Sequence, residues 1–472
     1  MKTETLKYSD KTSVSPARNK LFIFLILSAH FLICVLFYLN TTTFTEISES
    51  ASVFNAYYCL LNGEKVYPFF AYWFFTPVFV AYFIHMIFGG TLLYYFIFQC
   101  LLSTVTVYLI YRTVFNITKS YRSARITVLL SVAYTEYALL SSVFYNQLYE
   151  IFFISLFLLL IFPFNDETVT GKITRLAAML VFVIYLSAYF RKSLMFVYLI
   201  FFTLMMLNLK DKKYLLKFAA LSVPVMILML FFNPYKMFNS NYIGNTETLF
   251  WGHTMYGGHG GEAALLFPEN IEKYNRRLKE FMDKNNLTDI TRESMDEFEK
   301  EEIIGFIKSE PHRWILLQAR KVLYTFGVVP ERDGFLMLYK GKASLHWIVA
   351  SLILQIPYTS ILMLFILSLD LSIKEIISDS RKRILYLLGI YIIAGIALFG
   401  PYQERYRPVV LICFFIPVIA LNYQKTISLF RKENRKELII KTALILLLLA
   451  VWLYQTYEVL IVYRDRYFKI VQ

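Results

Sequence analysis

Four short stretches of this sequence gather charged or polar side chains beside long apolar runs. The first is Thr45-Glu46-Ile47-Ser48-Glu49-Ser50, ahead of Ala56-Tyr57-Tyr58, Gly63 and Tyr67-Pro68. A carboxylate there, at Glu49 or Glu46, could serve as a general base or a metal ligand. Equally, Ser48 or Ser50 could cap a helix whose positive end attracts both acids. The second is Phe399-Gly400-Pro401-Tyr402-Gln403-Glu404-Arg405-Tyr406-Arg407-Pro408. Arg405 and Arg407 suit a lipid phosphate, because guanidinium groups bind phosphate oxygens two at a time. The plain alternative is interfacial anchoring with an internal Glu404–arginine pair. The third, Arg191-Lys192, sets two cations in a short link, again as anion ligands or as anchors. The fourth runs from Trp251 to Glu262, where His253, His259 and Glu262 lie among glycines. Those three could hold a divalent metal or simply face solvent from a polar loop. No GxxxxGK[ST] and no strand-framed GxGxxG occurs, so no nucleotide signal is present. These residues specify no cofactor, and a divalent metal is the one they would suit.

The elements that must position these groups are set by composition. The chain has 472 residues, of which 57% are hydrophobic, 18% aromatic and only 17% charged. A soluble globular chain has about 45–50% apolar and about 25% charged residues. Apolar runs long enough for a ~30 Å hydrocarbon core recur throughout. The fold class expected is therefore all-α integral membrane, and disordered, collagenous and disulfide-rich secreted classes are excluded. The net charge of +14 is dispersed in short loops, where it orients helices and implies no nucleic-acid partner. The four cysteines (Cys34, Cys59, Cys100, Cys413) form no CxxC pair and read as free, mostly buried thiols. The run Leu21–Leu39 is too long for a signal-peptide core, so it reads as an uncleaved first helix.

Hydropathy places spans at Leu21–Leu39, Gly90–Tyr111, Ile126–Leu140, Leu148–Phe164, Leu176–Phe190 and Leu194–Leu209. Phe218–Phe232, Leu345–Leu367, Ile384–Phe399, Val409–Tyr423 and Leu438–Tyr457 bring the total to eleven. Ala71–Phe88 is equally apolar, and charge decides its place. With eleven spans and a cytoplasmic N-terminus, the short inner loops hold 25 Lys/Arg and the outer ones with the tail 8. Counting Ala71–Phe88 as a twelfth span gives at best 21 against 12, a poorer fit to the positive-inside bias. It is therefore expected to lie at the outer surface, where its aromatic residues suit the interface. The organisation read is an N-terminal module of residues 1–232 containing a first outer loop at 40–88, a large outer loop at 233–344, and C-terminal helices at 345–472. Within the large loop, Ser294–Lys308 has helical spacing of apolar residues, and Trp314–Phe326 is an amphipathic run leading back to the membrane.

The order of these parts resembles the membrane-embedded glycosyltransferases of the GT-C superfamily. An acid stands about fourteen residues before Gly63, a Tyr-Pro follows, then TPVFVAYFIHMIFGG, and ERYRPVV opens a late helix. The closest branch holds protein O-mannosyltransferases and the bacterial aminoarabinose transferases that modify lipid A. The resemblance covers about 450 residues, through short motifs. It implies that Glu49, with Glu46 in reserve, takes the place of the family's essential acid, although the usual Asp-Glu is Glu49-Ser50 here. It implies two surface helices in the first outer loop. It also makes Arg405 and Arg407, with Arg191 and Lys192, the groups that hold the donor's phosphate. The expected partners are a polyprenyl-phosphate sugar donor, a lipid, glycan or protein acceptor, and the surrounding lipids. Transfer would invert the anomeric centre on the outer face of a bacterial plasma membrane. Two other classes stay open. A lipid-linked glycan polymerase or ligase would place its catalytic groups in later outer loops. A flippase or transporter would show mid-membrane charge and interrupted helices.

Overall fold

The computed structural model describes residues 15–40, 48–64, 75–89, 92–162, 220, 268–288, 292–328, 352–399, 406–431 and 434–462. Every regular element among them is helical, as an apolar chain that must satisfy its own backbone demands. Among the described residues three helices are long and apolar enough to cross a membrane: α1 (Pro16–Asn40), α4 (Leu92–Thr118), and the C-terminal helix starting at Arg435. Their 25, 27 and 28 residues reach about 37–42 Å at 1.5 Å per residue, against a core of ~30 Å. Between α1 and α4 lie α2 (Ser48–Leu61) and α3 (Phe75–Phe88). The 14 residues described in α3 reach only ~21 Å, short of that thickness.

A tight connection at Lys119, in the left-handed region with φ 53°, turns α4 into α5 (Tyr121–Ala133). The Ser120 hydroxyl caps α5 by accepting from the Ser123 N–H. The expected single helix at Ile126–Leu140 is broken. α5 stops at Tyr134, and α6 (Thr135–Leu139) continues into one 3₁₀ turn over Leu140–Ser142. The chain then bends by 120° into α7 (Gln147–Ile161). Further on come α8 (Pro268–Lys284), α9 (Arg292–Ser309) and α10 (Pro311–Thr325). The last two match the helix and the amphipathic run expected there. Phe281 meets Phe298 at 5.3 Å between ring centres, and Arg277 pairs with Glu302 at 2.8 Å, so α8 and α9 are joined.

The C-terminal part contains α11 (Ile356–Ser368), the short α12 (Ile373–Ser378) and α13 (Ser380–Phe399). It continues through α14 (Arg407–Val410), α15 (Ile416–Leu421), α16 (Tyr423–Ser428) and α17 (Arg435–Tyr457). The run expected as one helix at Val409–Tyr423 departs from that form at its centre and its end. Leu411–Phe415 is a π-turn in which the Ile416 N–H reaches back to the Leu411 carbonyl. Pro417 lacks the N–H that an α-helix would supply to Cys413, and the chain ends this stretch at Asn422. Residues 407–420 are buried throughout, which suits a helix that is apolar on every side. They form the centre of a core shared with Val107, Val128, Ile151, Phe157, Leu385 and Ile361. Gly389 in α13 lets the Phe414 ring rest against the backbone, since a Cβ there would stand 2.2 Å from the ring.

Contacts sort the helix ends into two sets. At one end Arg125 donates to Asn19 (2.9 Å), and Arg381 donates to the Ile117 carbonyl (3.1 Å). Arg122 also lies 5.0 Å from the Tyr423 ring centre. There Asp370 accepts from Lys382 (2.9 Å), Lys425 (2.9 Å) and Asn422 (2.8 Å), and Lys441 donates to the Leu367 carbonyl (2.6 Å). These are the helix ends that the charge pattern assigned to the inner side. The ends assigned to the outer side meet elsewhere: Tyr38 stacks on Phe96 at 4.7 Å, and the Trp452 indole donates to the Phe326 carbonyl at 2.9 Å.

Candidate functional site

The first outer loop supplies one half of the site. Val53, Ala56 and Tyr57 of α2 are buried against Val78, Ala81 and Ile84 of α3, with Tyr95 and Phe96 of α4 and Phe144 completing the cluster. Spacing of i, i+3, i+4 on α2 and i, i+3, i+6 on α3 makes the two apolar stripes that meet here. Tyr57 and His85 are joined by a 3.0 Å hydrogen bond across the pair. Beneath them, Tyr95 stacks on Phe144 at 4.8 Å, and the Tyr149 hydroxyl donates to that of Tyr95 at 3.2 Å. The helix end at Leu61 is finished by Gly63, whose φ of 69° favours glycine. Glu49 is the second residue of α2, one turn before the fully buried Val53. Glu46 lies outside the described residues.

The second half centres on Arg407, the first residue of α14. Its side chain is wholly buried and forms an ion pair with Glu136 of α6, which is itself buried. The other arm of the guanidinium donates to the Gly327 carbonyl, and the plane lies 4.4 Å from the Tyr358 ring centre. The Tyr134 hydroxyl, at the break before α6, donates to the remaining Glu136 oxygen at 2.7 Å. The Phe326 carbonyl accepts from Tyr358 (2.6 Å) and Trp452 (2.9 Å). A buried carboxylate is tolerated because a cation and a hydroxyl satisfy it together. Glu404, the nearby partner the sequence offered for these arginines, lies outside the described residues. The Arg407 charge is met by a residue 271 positions away.

Along α10, one turn further from this centre at each step, Tyr324 donates to Glu458 and Lys321 donates to Gln318 at 3.0 Å. Burial lowers the Lys321 ammonium to about 7, because the charged form loses its water. Two glutamines complete the surroundings. Gln355 precedes α11, beside Leu354, whose carbonyl accepts from Thr135 (3.4 Å). Gln455 of α17 faces Gly327, where a Cβ would stand 3.2 Å from the amide oxygen.

Arg405, Arg191, Lys192, His253, His259 and Glu262 lie outside the described residues. Among the described residues no group of three His, Cys, Asp or Glu side chains could hold a metal ion. Cys34, Cys100 and Cys413 are free and buried, and Cys59 is free and half-buried. Glu136, Lys321, Gln355 and Gln455 did not stand among the sequence candidates. Glu136 alone carried a usable signal, an acid within an apolar run. Comparison of the chain with protein-family models, with curated proteins and with solved structures gives no match.

Proposed function

We propose that this chain is a multi-pass membrane glycosyltransferase. It takes a sugar from a polyprenyl-phosphate donor and passes it to a lipid, glycan or protein acceptor on the outer face of a bacterial plasma membrane. In this reading eleven helices span, the N-terminus is cytoplasmic, and α2 and α3 lie at the outer surface. The observation that carries the reading is the seating of α2 and α3, side by side, on the Leu92 end of α4, with Glu49 in the first turn of α2. That arrangement mounts an acid on a docked helix rather than on a free loop. The helix ends sort into two sets, and the charge pattern supplies which set faces the inside.

The chemistry is a single displacement. Glu49 accepts the proton of an acceptor hydroxyl or amine as that atom bonds to the anomeric carbon. The bond from that carbon to the phosphate oxygen breaks, and prenyl phosphate leaves. Arg405, with Arg191 and Lys192, stabilises the charge that grows on the leaving phosphate. Arg407 holds the start of α14 through Glu136, and direct phosphate binding falls to the other three.

The test is sugar transfer from synthetic polyprenyl-phosphate sugars by purified protein in vesicles. Glu49→Gln removes the base and should slow transfer about 10²–10⁴-fold, whereas Glu46→Gln should do much less. Arg405→Ala should weaken donor use, with only partial rescue by Arg405→Lys, because lysine lacks the planar fork. Unchanged transfer in both Glu49→Gln and Glu46→Gln would reject the reading.

A second reading, a carrier for a polyprenyl-linked sugar, is favoured by one observation: the helix broken at Tyr134 beside the buried Glu136–Arg407 pair. Broken helices with buried charge are features of transporters. Movement of the labelled donor across the vesicle membrane without any transfer would favour it over the enzyme.

A further inference from the structure

The polar centre around Arg407 contains two side chains whose hydrogen-bonding capacity is unused. Gln355 is 1% exposed and Gln455 is 3% exposed. Among the described residues, neither the oxygen nor the nitrogen of either amide has a partner. A buried amide left unpaired carries a desolvation cost, so native interiors seldom keep one, and here two stand one turn from Tyr358 and Trp452, whose rings meet at 6.3 Å. The neighbouring oxygens are already engaged. Glu136 is held by Arg407 and Tyr134, and the Phe326 carbonyl by Tyr358 and Trp452. Gly327 allows the Gln455 amide to come close to the backbone at the end of α10, where any side chain would push against it.

We infer that Gln355 and Gln455 form a subsite for a neutral, hydroxyl-rich group, the sugar ring of the lipid-linked donor. This rests on the glycosyltransferase reading and deepens it. Charge selects the ligand class. The Glu136–Arg407 pair cancels itself and the two amides are uncharged, so the amides offer hydrogen bonds and no charge of their own. An amide offers a carbonyl that accepts and an NH₂ that donates. A sugar hydroxyl both donates and accepts, so each amide can bind one or two of them. The subsite lies on the side of the helix ends where Trp452 meets Phe326, the side assigned to the outer face. A phosphate held by Arg405 would be two residues away in sequence from Arg407.

The experiment compares binding of three probes to the full-length protein in nanodiscs: polyprenyl-phosphate mannose, polyprenyl-phosphate glucose and polyprenyl phosphate without a sugar. The variants are Gln355→Met and Gln455→Met, which keep size and remove hydrogen bonding. Each should weaken binding of a sugar-bearing probe roughly tenfold and leave the bare polyprenyl phosphate unaffected. Thermal unfolding without ligand should be unchanged or higher in both variants, because an unpaired buried amide has been removed. Equal weakening of all three probes, or no weakening of any, would overturn the subsite while leaving the donor reading standing. A wild-type protein that retains none of the three would overturn the donor reading itself.

Discussion

Arg407 brings four segments of chain together: the break at Tyr134, the end of α10 at Gly327, α11 through Tyr358, and its own helix. In low dielectric such a residue does more harm when half-removed than it contributes when present, because its partner is stranded as an unpaired charge. Arg407→Ala leaves Glu136 buried against Tyr134 alone. It should cost about 3–5 kcal/mol of stability, seen as a large drop in the thermal unfolding temperature in detergent. Replacing both members, Glu136→Leu with Arg407→Leu, should recover most of that loss, since two apolar groups need no partner. If the double variant is no more stable than Arg407→Ala, the two residues are not paired in the folded protein. A phosphate ligand at this position would behave differently, with normal unfolding and weaker donor use.

At the scale of elements, the end opposite Arg407 is joined by Asp370, in the link between α11 and α13. Burial pushes its carboxyl up, but hydrogen bonds from Lys382, Lys425 and Asn422 outweigh this and hold it at about 2. Lys425 also reaches Glu375 at 2.8 Å, and Lys441 pairs with Glu437 at 2.9 Å. Four helix ends are thereby fastened through a few charges. The folded value lies below the ordinary carboxylate value of about 3.9. Its stabilisation is therefore complete above pH ~4 and is lost as pH falls towards about 2. Unfolding temperature should fall across that window in the wild type. Asp370→Asn should start lower at neutral pH and change less over the same interval. A parallel decline in both proteins would remove Asp370 as the cause.

For the whole molecule, the orientation of the helices decides which side the chemistry faces. The contacts group Asn19, Ile117, Asp370, Lys382, Tyr423 and Lys441 at one set of helix ends, which the charge pattern assigns to the inside, and Tyr38, Phe96, Phe326 and Trp452 at the other. Single cysteines introduced into a cysteine-free background should report the same division. In intact cells an impermeant thiol reagent should label positions Glu262 and Glu404, and should leave Lys213 and Arg431 unlabelled until the membrane is opened. Labelling at Lys213 from outside would invert the scheme and place Glu49 on the wrong side for an outward-facing acceptor.

Much of this architecture is written locally and so is readable from the chain. The runs around α1, α4 and α17 are apolar over enough residues that their helices need no partner to be recognised. The acid-rich Ser294–Lys308 and amphipathic Trp314–Phe326 segments announce themselves through 3.6-residue spacing. The site is a different matter. Glu136 meets Arg407 across 271 positions, and no local pattern tells an arginine that binds a ligand from one whose charge is already met. The break at Tyr134 and the π-turn at Leu411–Phe415 escape hydropathy because their residues are as apolar as those of an unbroken helix. Only tertiary packing decides these features, since burial makes a charge seek its partner wherever the fold brings one near. That same packing leaves the Gln355 and Gln455 amides without one.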